Sequence, residues 1–194
     1  MMDKNSWNKL LEPDSVTVAP TLLGCYLVRQ LNGQRVVGKI VETEAYHQRD
    51  AASHSYRGQT PRNSVMFGPP GFAYVYFTYG MHYCMNVVTG QPGEGSAVLI
   101  RALEPLEGLE LMQENRGGKS ESELTNGPAK LCQALGVDKR LNGHDLSAPS
   151  LQLVLGSPLP TSRIVQTTRI GIRHDTDKPW RFYIKDNPFV SKLS

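Results

Sequence analysis

The chain has 194 residues, which fits one domain or at most two small ones and is long enough for a core that needs no disulfide or metal staple. Hydrophobic residues make up 39% and charged residues 20%, which excludes a disordered chain, and no window approaches the roughly 20 apolar residues of a membrane span. Lys and Arg number 21 against 18 Asp and Glu, so the net charge of +3 permits a nucleic-acid partner without arguing for one.

Residues 14–23 read as a short helix, capped by Asp14 or Ser15 and ended by Gly24. Pro20 lies inside that pattern and predicts a kink or a split. Residues 25–31 and 35–45 read as two strands of a hairpin, because Asn32-Gly33 between them is a strong turn signal. Residues 47–72 are polar and rich in Gly and Pro. They predict a long ordered loop, and loops of that length inside a domain are usually functional. The aromatic run 72–79 and the run 83–89 predict a second hairpin with Tyr79, Gly80 and Met81 at its tip. Residues 97–102 predict a further strand. Residues 104–115 predict a helix, with Leu106, Leu109 and Met112 at helical spacing. Residues 116–125 read as a mobile segment. A helix follows, with Asn126 as cap, Pro128 in its first turn and Gly136 at its end. The last third alternates short strands (151–155, 164–172, 181–184) with turns. No regular βαβ alternation, P-loop or Gly-x-Gly-x-x-Gly occurs. The fold class expected is mixed α/β (α+β), dominated by antiparallel strands.

The three cysteines, Cys25, Cys84 and Cys132, form no Cys-x-x-Cys. That argues against a disulfide framework, a zinc ribbon or an iron–sulfur cluster. The first residues lack the apolar region of a signal peptide, so the expected compartment is the reducing cytoplasm. The five histidines have no metal-motif spacing, and no metal is expected.

Five features could carry chemistry. In a strand over 41–46, Glu42, Glu44 and Tyr46 share one face. That face is either a wet surface or the wall of a pocket where a carboxylate serves as general base. The loop holds His54, Arg57, Arg62 and Asn63, and a lone loop histidine such as His54 is more often a surface residue than a catalytic one. Tyr74, Tyr76, Tyr79 and Tyr83 crowd the second hairpin beside Phe72 and Phe77. A core strand pair accounts for part of this. A large ring at a turn, however, suits insertion between stacked bases, and an aromatic pocket suits a flipped base. Arg101 ends a strand and reads as a snorkelling edge residue or as a ligand-orienting cation. Charge is uneven. Residues 163–185 carry six basic and two acidic side chains, whereas 101–123 carry three basic and six acidic ones. The basic stretch either faces phosphates or is an ordinary solvated surface.

Six runs, taken together and in order, carry a resemblance. They are Val-Glu-Thr-Glu-Ala-Tyr at 41–46, residues 52–63, Met-Phe-Gly-Pro-Pro-Gly at 66–71, residues 74–86, residues 99–108 and residues 127–134. With them the chain resembles the alkyladenine (3-methyladenine) DNA glycosylase family, from about Leu22 to Ser191. It lacks the N-terminal extension of mammalian members and resembles a bacterial one. The resemblance implies one catalytic domain over 1–194, with a curved antiparallel sheet, flanking helices and a protruding hairpin that inserts into DNA. It implies a monofunctional glycosylase of base-excision repair. Such an enzyme flips alkylated or deaminated purines from double-stranded DNA and hydrolyses the N-glycosidic bond, leaving an abasic site. No cofactor, no metal and no membrane partner are implied, and a monomer is expected.

Site roles follow from the same resemblance. Glu44 matches the general base, Arg101 the arginine that helps hold the attacking water, and the backbone carbonyl of Ile170 a third partner of that water. Tyr46, His54 and Tyr76 match residues that sandwich and hydrogen-bond the base. Asn86 matches the residue that disfavours the 2-amino group of guanine. Tyr79 matches the tyrosine that fills the hole in the duplex, with Met81 beside it, and Lys130 a lysine near the DNA backbone. Between Tyr46 and His54 the spacing is a residue shorter than in mammalian members. Two alternatives stand beside this reading. One is a non-catalytic damaged-DNA binding module of the same fold, and the other is a glycosidase for free nucleosides.

Overall fold

In the computed structural model, which describes residues 9–191, the sheet is assembled around one long strand, β2 (Gln34–His47). β1 (Tyr26–Leu31) and β2 form the predicted hairpin, in register from Leu31 opposite Gln34 to Tyr26 opposite Lys39. Asn32 and Gly33 both have positive φ in the turn, the conformation that Asn-Gly favours. β2 continues past the end of β1. There β8 (Arg181–Ile184) takes over the vacated edge, with Glu42 opposite Tyr183 and Glu44 opposite Arg181. The other edge of β2 pairs with β5 (Ser96–Glu107), and the sheet continues through β4 (His82–Val88) to β3 (Ala73–Thr78). β6 (Leu151–Val154) flanks β1, and β7 (Ile164–Thr167) pairs with β8. All these pairings are antiparallel, and with the short helices they make an α+β fold. Among the described residues no helix is long and apolar enough to cross a membrane.

The first helix divides as Pro20 predicts. α1 (Ser15–Val18) is capped by Asp14, whose side chain accepts from the N–H groups of Val16 and Thr17. A 3-10 turn (Ala19–Leu22) then begins with Pro20 at its N-terminal end, where a missing N–H costs nothing. Four expectations need correction. Residues 104–107 extend β5 instead of starting a helix, because Pro105 pairs opposite Gly38 and Glu107 opposite Val37. Gly108, with φ +77, breaks the strand, and only then does α2 (Leu109–Asn115) begin. The strand predicted over 164–172 stops at Thr167, after which the chain leaves the sheet and turns into the site described below. In 116–125, Leu124 and Thr125 are buried, and the Thr125 hydroxyl donates to the Leu103 carbonyl at 2.6 Å, so the end of that segment is tied down. α3 (Pro128–Ala134) has Gly127 as its N-cap; Asn126 instead accepts from Lys130 Nζ at 2.8 Å.

The main core lies on one face of the sheet, where Val75, Met85, Ile100 and Leu103 meet Leu22 of the first turn, Met112 of α2 and Leu131 of α3. Period-two alternation sends the other face of β3 elsewhere. Tyr74 and Tyr76 join Met66, Val88 and Ala97 in a second cluster under the 3-10 turn Ser64–Phe67. The loop 47–72 is therefore pinned from below by apolar contacts. Asn63 pins it from within. Its amide donates to the carbonyls of His54 (2.8 Å) and Gly58 (3.1 Å) and accepts from the Thr60 N–H (2.6 Å). Gly95 is required beneath this loop, because a Cβ there would lie 2.4 Å from Ser55 Cβ and 2.7 Å from the Phe67 ring.

Candidate active site

A cavity of about 490 Å³ opens between β3, β4, the loop 47–72 and the segment that follows β7. Tyr46, His54, Tyr76, Asn86, Arg101 and Ile170 line it, and Tyr79 stands at its edge. These residues come from six places in the chain, and on β3 alternation alone supplies the lining. Tyr74, Tyr76 and Thr78 lie on the cavity face of β3, while Ala73, Val75 and Phe77 face the other way.

Glu44 lies in the middle of the sheet and is 0% exposed, as is Glu42. The wet-surface reading of the 42–46 face is thereby overturned. Glu44 Oε1 accepts the backbone N–H of Ile170 at 2.8 Å. Its Oε2 accepts the Tyr46 hydroxyl at 2.9 Å and Arg101 Nη1 at 3.2 Å. An ionised carboxylate has about four acceptor directions, so one remains for a further donor such as water. The carboxylate itself does not line the cavity; its three donors do. Burial alone would lower the Arg101 pKa, but Glu44 and Glu42 outweigh it and raise it above the ordinary value. Tyr46 is pushed well up, first by burial and then by the Glu44 charge, so its phenol remains a hydrogen-bond donor.

The aromatic wall is a connected set. The His54 and Tyr76 rings meet edge to face with centroids 4.5 Å apart, and Tyr74 lies 5.5 Å from Tyr76. His54 Nδ1 is 3.0 Å from the Tyr74 hydroxyl. Burial pushes the Tyr74 phenol up to about 12. Burial, and then the positive charge of Arg62, push the His54 pKa below its usual value, so its imidazole is neutral at pH 7. With Tyr74 as donor to Nδ1, Nε2 carries the remaining N–H. Tyr76 and the neighbouring Cys84 are both raised by burial, so neither phenolate nor thiolate stands at the wall at neutral pH. Asn86 is buried, and its amide donates to the Tyr74 carbonyl at 3.0 Å, which fixes its orientation.

Behind Tyr46 lies a second ionic layer. The buried Arg169 guanidinium sits 4.7 Å from the Tyr46 ring centroid and 5.1 Å from that of Trp180. It forms a two-point ion pair with Asp50, one arm of which is Nη2 to Oδ1 at 2.9 Å, and donates to the Ala45 carbonyl at 3.0 Å. Removing either buried partner would leave an uncompensated charge, at a cost of about 3–5 kcal/mol. Arg169 therefore anchors the turn that carries the Ile170 N–H to Glu44.

The expected DNA contacts lie apart from the cavity floor. Tyr79 is 83% exposed and has φ +51, and Gly80 follows with φ +69. The Met81 N–H closes this turn on the Thr78 carbonyl at 3.2 Å, and Met81 is itself 69% exposed. Lys130 lies outside the cavity lining. Of Ile170, the backbone contact seen at Glu44 is the N–H, whereas the resemblance pointed to the carbonyl. Sequence reasoning missed Asp50, Arg169 and the pairing of Tyr74 with His54. The period-two position of Tyr74 beside Tyr76 was an available signal. Nothing in the sequence joins Asp50 to Arg169 across 119 positions. Among the described residues no group of three His, Cys, Asp or Glu side chains could hold a metal ion.

Comparison with known proteins gives this arrangement its class. The family model for methylpurine-DNA glycosylase matches residues 9–188. A protein of Carboxydothermus hydrogenoformans is 61% identical over 180 residues, covering 92% of this chain and 94% of its own. One of Methanoculleus marisnigri is 53% identical over 186 residues, covering 93% and 95%. One of Francisella tularensis subsp. tularensis is 49% identical over 191 residues, covering 97% and 99%. All three bear the name "Putative 3-methyladenine DNA glycosylase". The chain belongs to the methylpurine-DNA glycosylase family, and with it to the enzymes that hydrolyse N-glycosidic bonds in DNA repair.

Proposed function

We propose that the chain acts as one catalytic domain, a monofunctional glycosylase that removes alkylated or deaminated purines from double-stranded DNA. The observation that carries this reading is the union of an aromatic cavity with a buried carboxylate–guanidinium pair at its base. The cavity has room for a purine, and electron-rich rings stack well on the face of a cationic base.

Tyr46, His54 and Tyr76 hold the extruded base, and Asn86 disfavours the 2-amino group of guanine. Glu44 takes a proton from a water held with Arg101 and the Ile170 backbone as that water attacks the sugar carbon. The carbon–nitrogen bond breaks, its electron pair leaves with the purine, and an abasic site remains. An N-alkylated purine is already a good leaving group, so extrusion, a positioned water and a base suffice. A protruding β3–β4 hairpin on a curved sheet enters the duplex, Tyr79 fills the vacated space with Met81 beside it, and Lys130 lies near the backbone. Extrusion costs a few kcal/mol, least at damaged or mispaired sites, which contributes to selectivity. The protein works as a monomer.

The test is a duplex carrying a single hypoxanthine or 7-methylguanine, incubated with excess protein. The expected product is free base, with a strand that breaks only after alkali. Lesion binding without alkali-labile sites would mark a non-catalytic binding module. Equal release from free nucleosides would mark a nucleoside hydrolase.

A further inference from the structure

We propose that Glu42 is a positioning residue for the hydrolytic reaction: anchored by Arg181 and Ser191, it fixes the Arg101 guanidinium against Glu44. This rests on the catalytic reading of Glu44 and Arg101 above. The Arg101 guanidinium spans two carboxylates, with Nε 3.2 Å from Glu42 Oε1 and Nη1 3.2 Å from Glu44 Oε2. Glu42 is fully buried and, like Glu44, does not line the aromatic cavity. Besides Arg101 it accepts from Arg181 Nε (2.6 Å), the Ser191 N–H (2.7 Å) and the Ser191 hydroxyl (2.8 Å). Four donors converge on it, three on Oε1 and one on Oε2, so it is held from more sides than Glu44 and by groups of β8 and the C-terminal segment that Glu44 does not touch.

The two carboxylates, two residues apart in β2, therefore have different tasks. Glu44 accepts from three groups that line the cavity, while Glu42 accepts from Arg101, Arg181 and Ser191, of which only Arg101 lines it. Without the Glu42 charge, Arg101 loses its second anchor and is drawn onto Glu44 alone. A guanidinium that settles fully on Glu44 occupies the acceptor direction that a water needs. The β2–β5 register shifts on both sides of Glu42, with Val41 the extra residue before it and Arg101 the extra residue on β5 after it, while Glu42 stays paired with Tyr183 of β8.

The experiment is a double-variant cycle read by single-turnover base release from hypoxanthine duplex, well below every variant's melting temperature. Glu42→Gln keeps the shape and an acceptor oxygen. Its maximal rate constant is expected to fall on the order of 10- to 100-fold, with lesion affinity unchanged. Ser191→Ala, which keeps the backbone N–H, falls by a few-fold in the same quantity. In an Arg101→Ala background, Glu42→Gln causes no further loss, because its effect passes through Arg101. If the loss instead multiplies in that background, or if affinity falls as much as the rate, Glu42 is a structural residue only and the proposal is overturned. If Glu42→Gln does not fold, the Ser191→Ala pair with Arg101→Ala decides by the same criterion. If the unaltered protein releases no base, the catalytic reading fails and this proposal falls with it.

Discussion

The Tyr46 hydroxyl donates to the Glu44 carboxylate at 2.9 Å, and the two residues are two positions apart on one strand. One side chain thus belongs to two systems, since its ring is a wall of the cavity and its oxygen is a partner of the proposed base. Arg169 lies against that ring and Arg101 against that carboxylate, so both are held by cations.

Replacing Glu44 by Gln should leave the hydrogen-bonding shape nearly intact and remove the proton acceptor. Base release is expected to fall by at least about 100-fold, the lower end for loss of a general base. Affinity for lesion duplex, measured by fluorescence anisotropy, should be retained. Unchanged single-turnover release would show that Glu44 is misassigned.

His54 gives a pH signature. Its pKa is lowered by burial and by Arg62, so the folded state takes up a proton at lower pH than the unfolded chain does. The stability it contributes is present above the ordinary value of 6.5 and is lost as pH falls below it. Once protonated, His54 repels a cationic base. From about pH 7 to about pH 5, capture of 7-methylguanine should therefore weaken more than capture of neutral hypoxanthine. His54→Gln should abolish the difference between the two lesions' pH profiles. Parallel profiles in the unaltered protein would place His54 away from the bound base.

Tyr79 holds a left-handed backbone without being glycine, which costs about 1–2 kcal/mol. Tyr79→Gly relieves that strain but makes the unfolded chain freer. The expected net gain is about 0.5 kcal/mol in chemical denaturation. The same variant should lose base release from duplex far more than from single-stranded substrate. A variant that is more stable and equally active on both substrates would remove Tyr79 from the DNA interface.

Asn63→Ala removes the amide that joins the carbonyls of His54 and Gly58 to the Thr60 N–H. The expected cost is about 1–3 kcal/mol, because the buried Asn63 amide makes three bonds that hold the loop together. Lesion affinity should fall more than the rate of the bound complex, since the loop carries His54 and no part of the Glu44 cluster. A loss confined to the rate would contradict this division.

Much of the site was legible in local pattern. Alternation put Glu44 and Tyr46 on one face, Asn-Gly marked the β1–β2 turn, and Pro20 marked the break in the first helix. What local pattern could not supply was the surroundings of those faces. The burial of Glu42 and Glu44 depends on β8 and Ser191, whose approach no short window records. Residues 104–107 misled for a related reason. Leu106, Leu109 and Met112 mimic a helical stripe, yet Leu106 belongs to a strand and is 46% exposed, while Met112 belongs to a helix core. The apolar spacing runs across Gly108, where the chain changes from one element to the other. Residues 168–172 contain β-branched residues and read as strand. In the fold they lie off the sheet, with Arg169 paired to Asp50.

The takeover of the β2 edge by β8 also bears on synthesis. A ribosome that has translated past Arg101 has produced both carboxylates and the guanidinium between them. Ile170, Arg181 and Ser191, which complete the cluster, are still to be made, and Ser191 comes 149 positions after Glu42. Until that stretch leaves the exit tunnel, two negative charges share one positive charge on an open strand edge. The nascent chain therefore cannot hold the Glu44 cluster in its final form, and hydrolytic competence arrives late, with the docking of β8 and the turn before it.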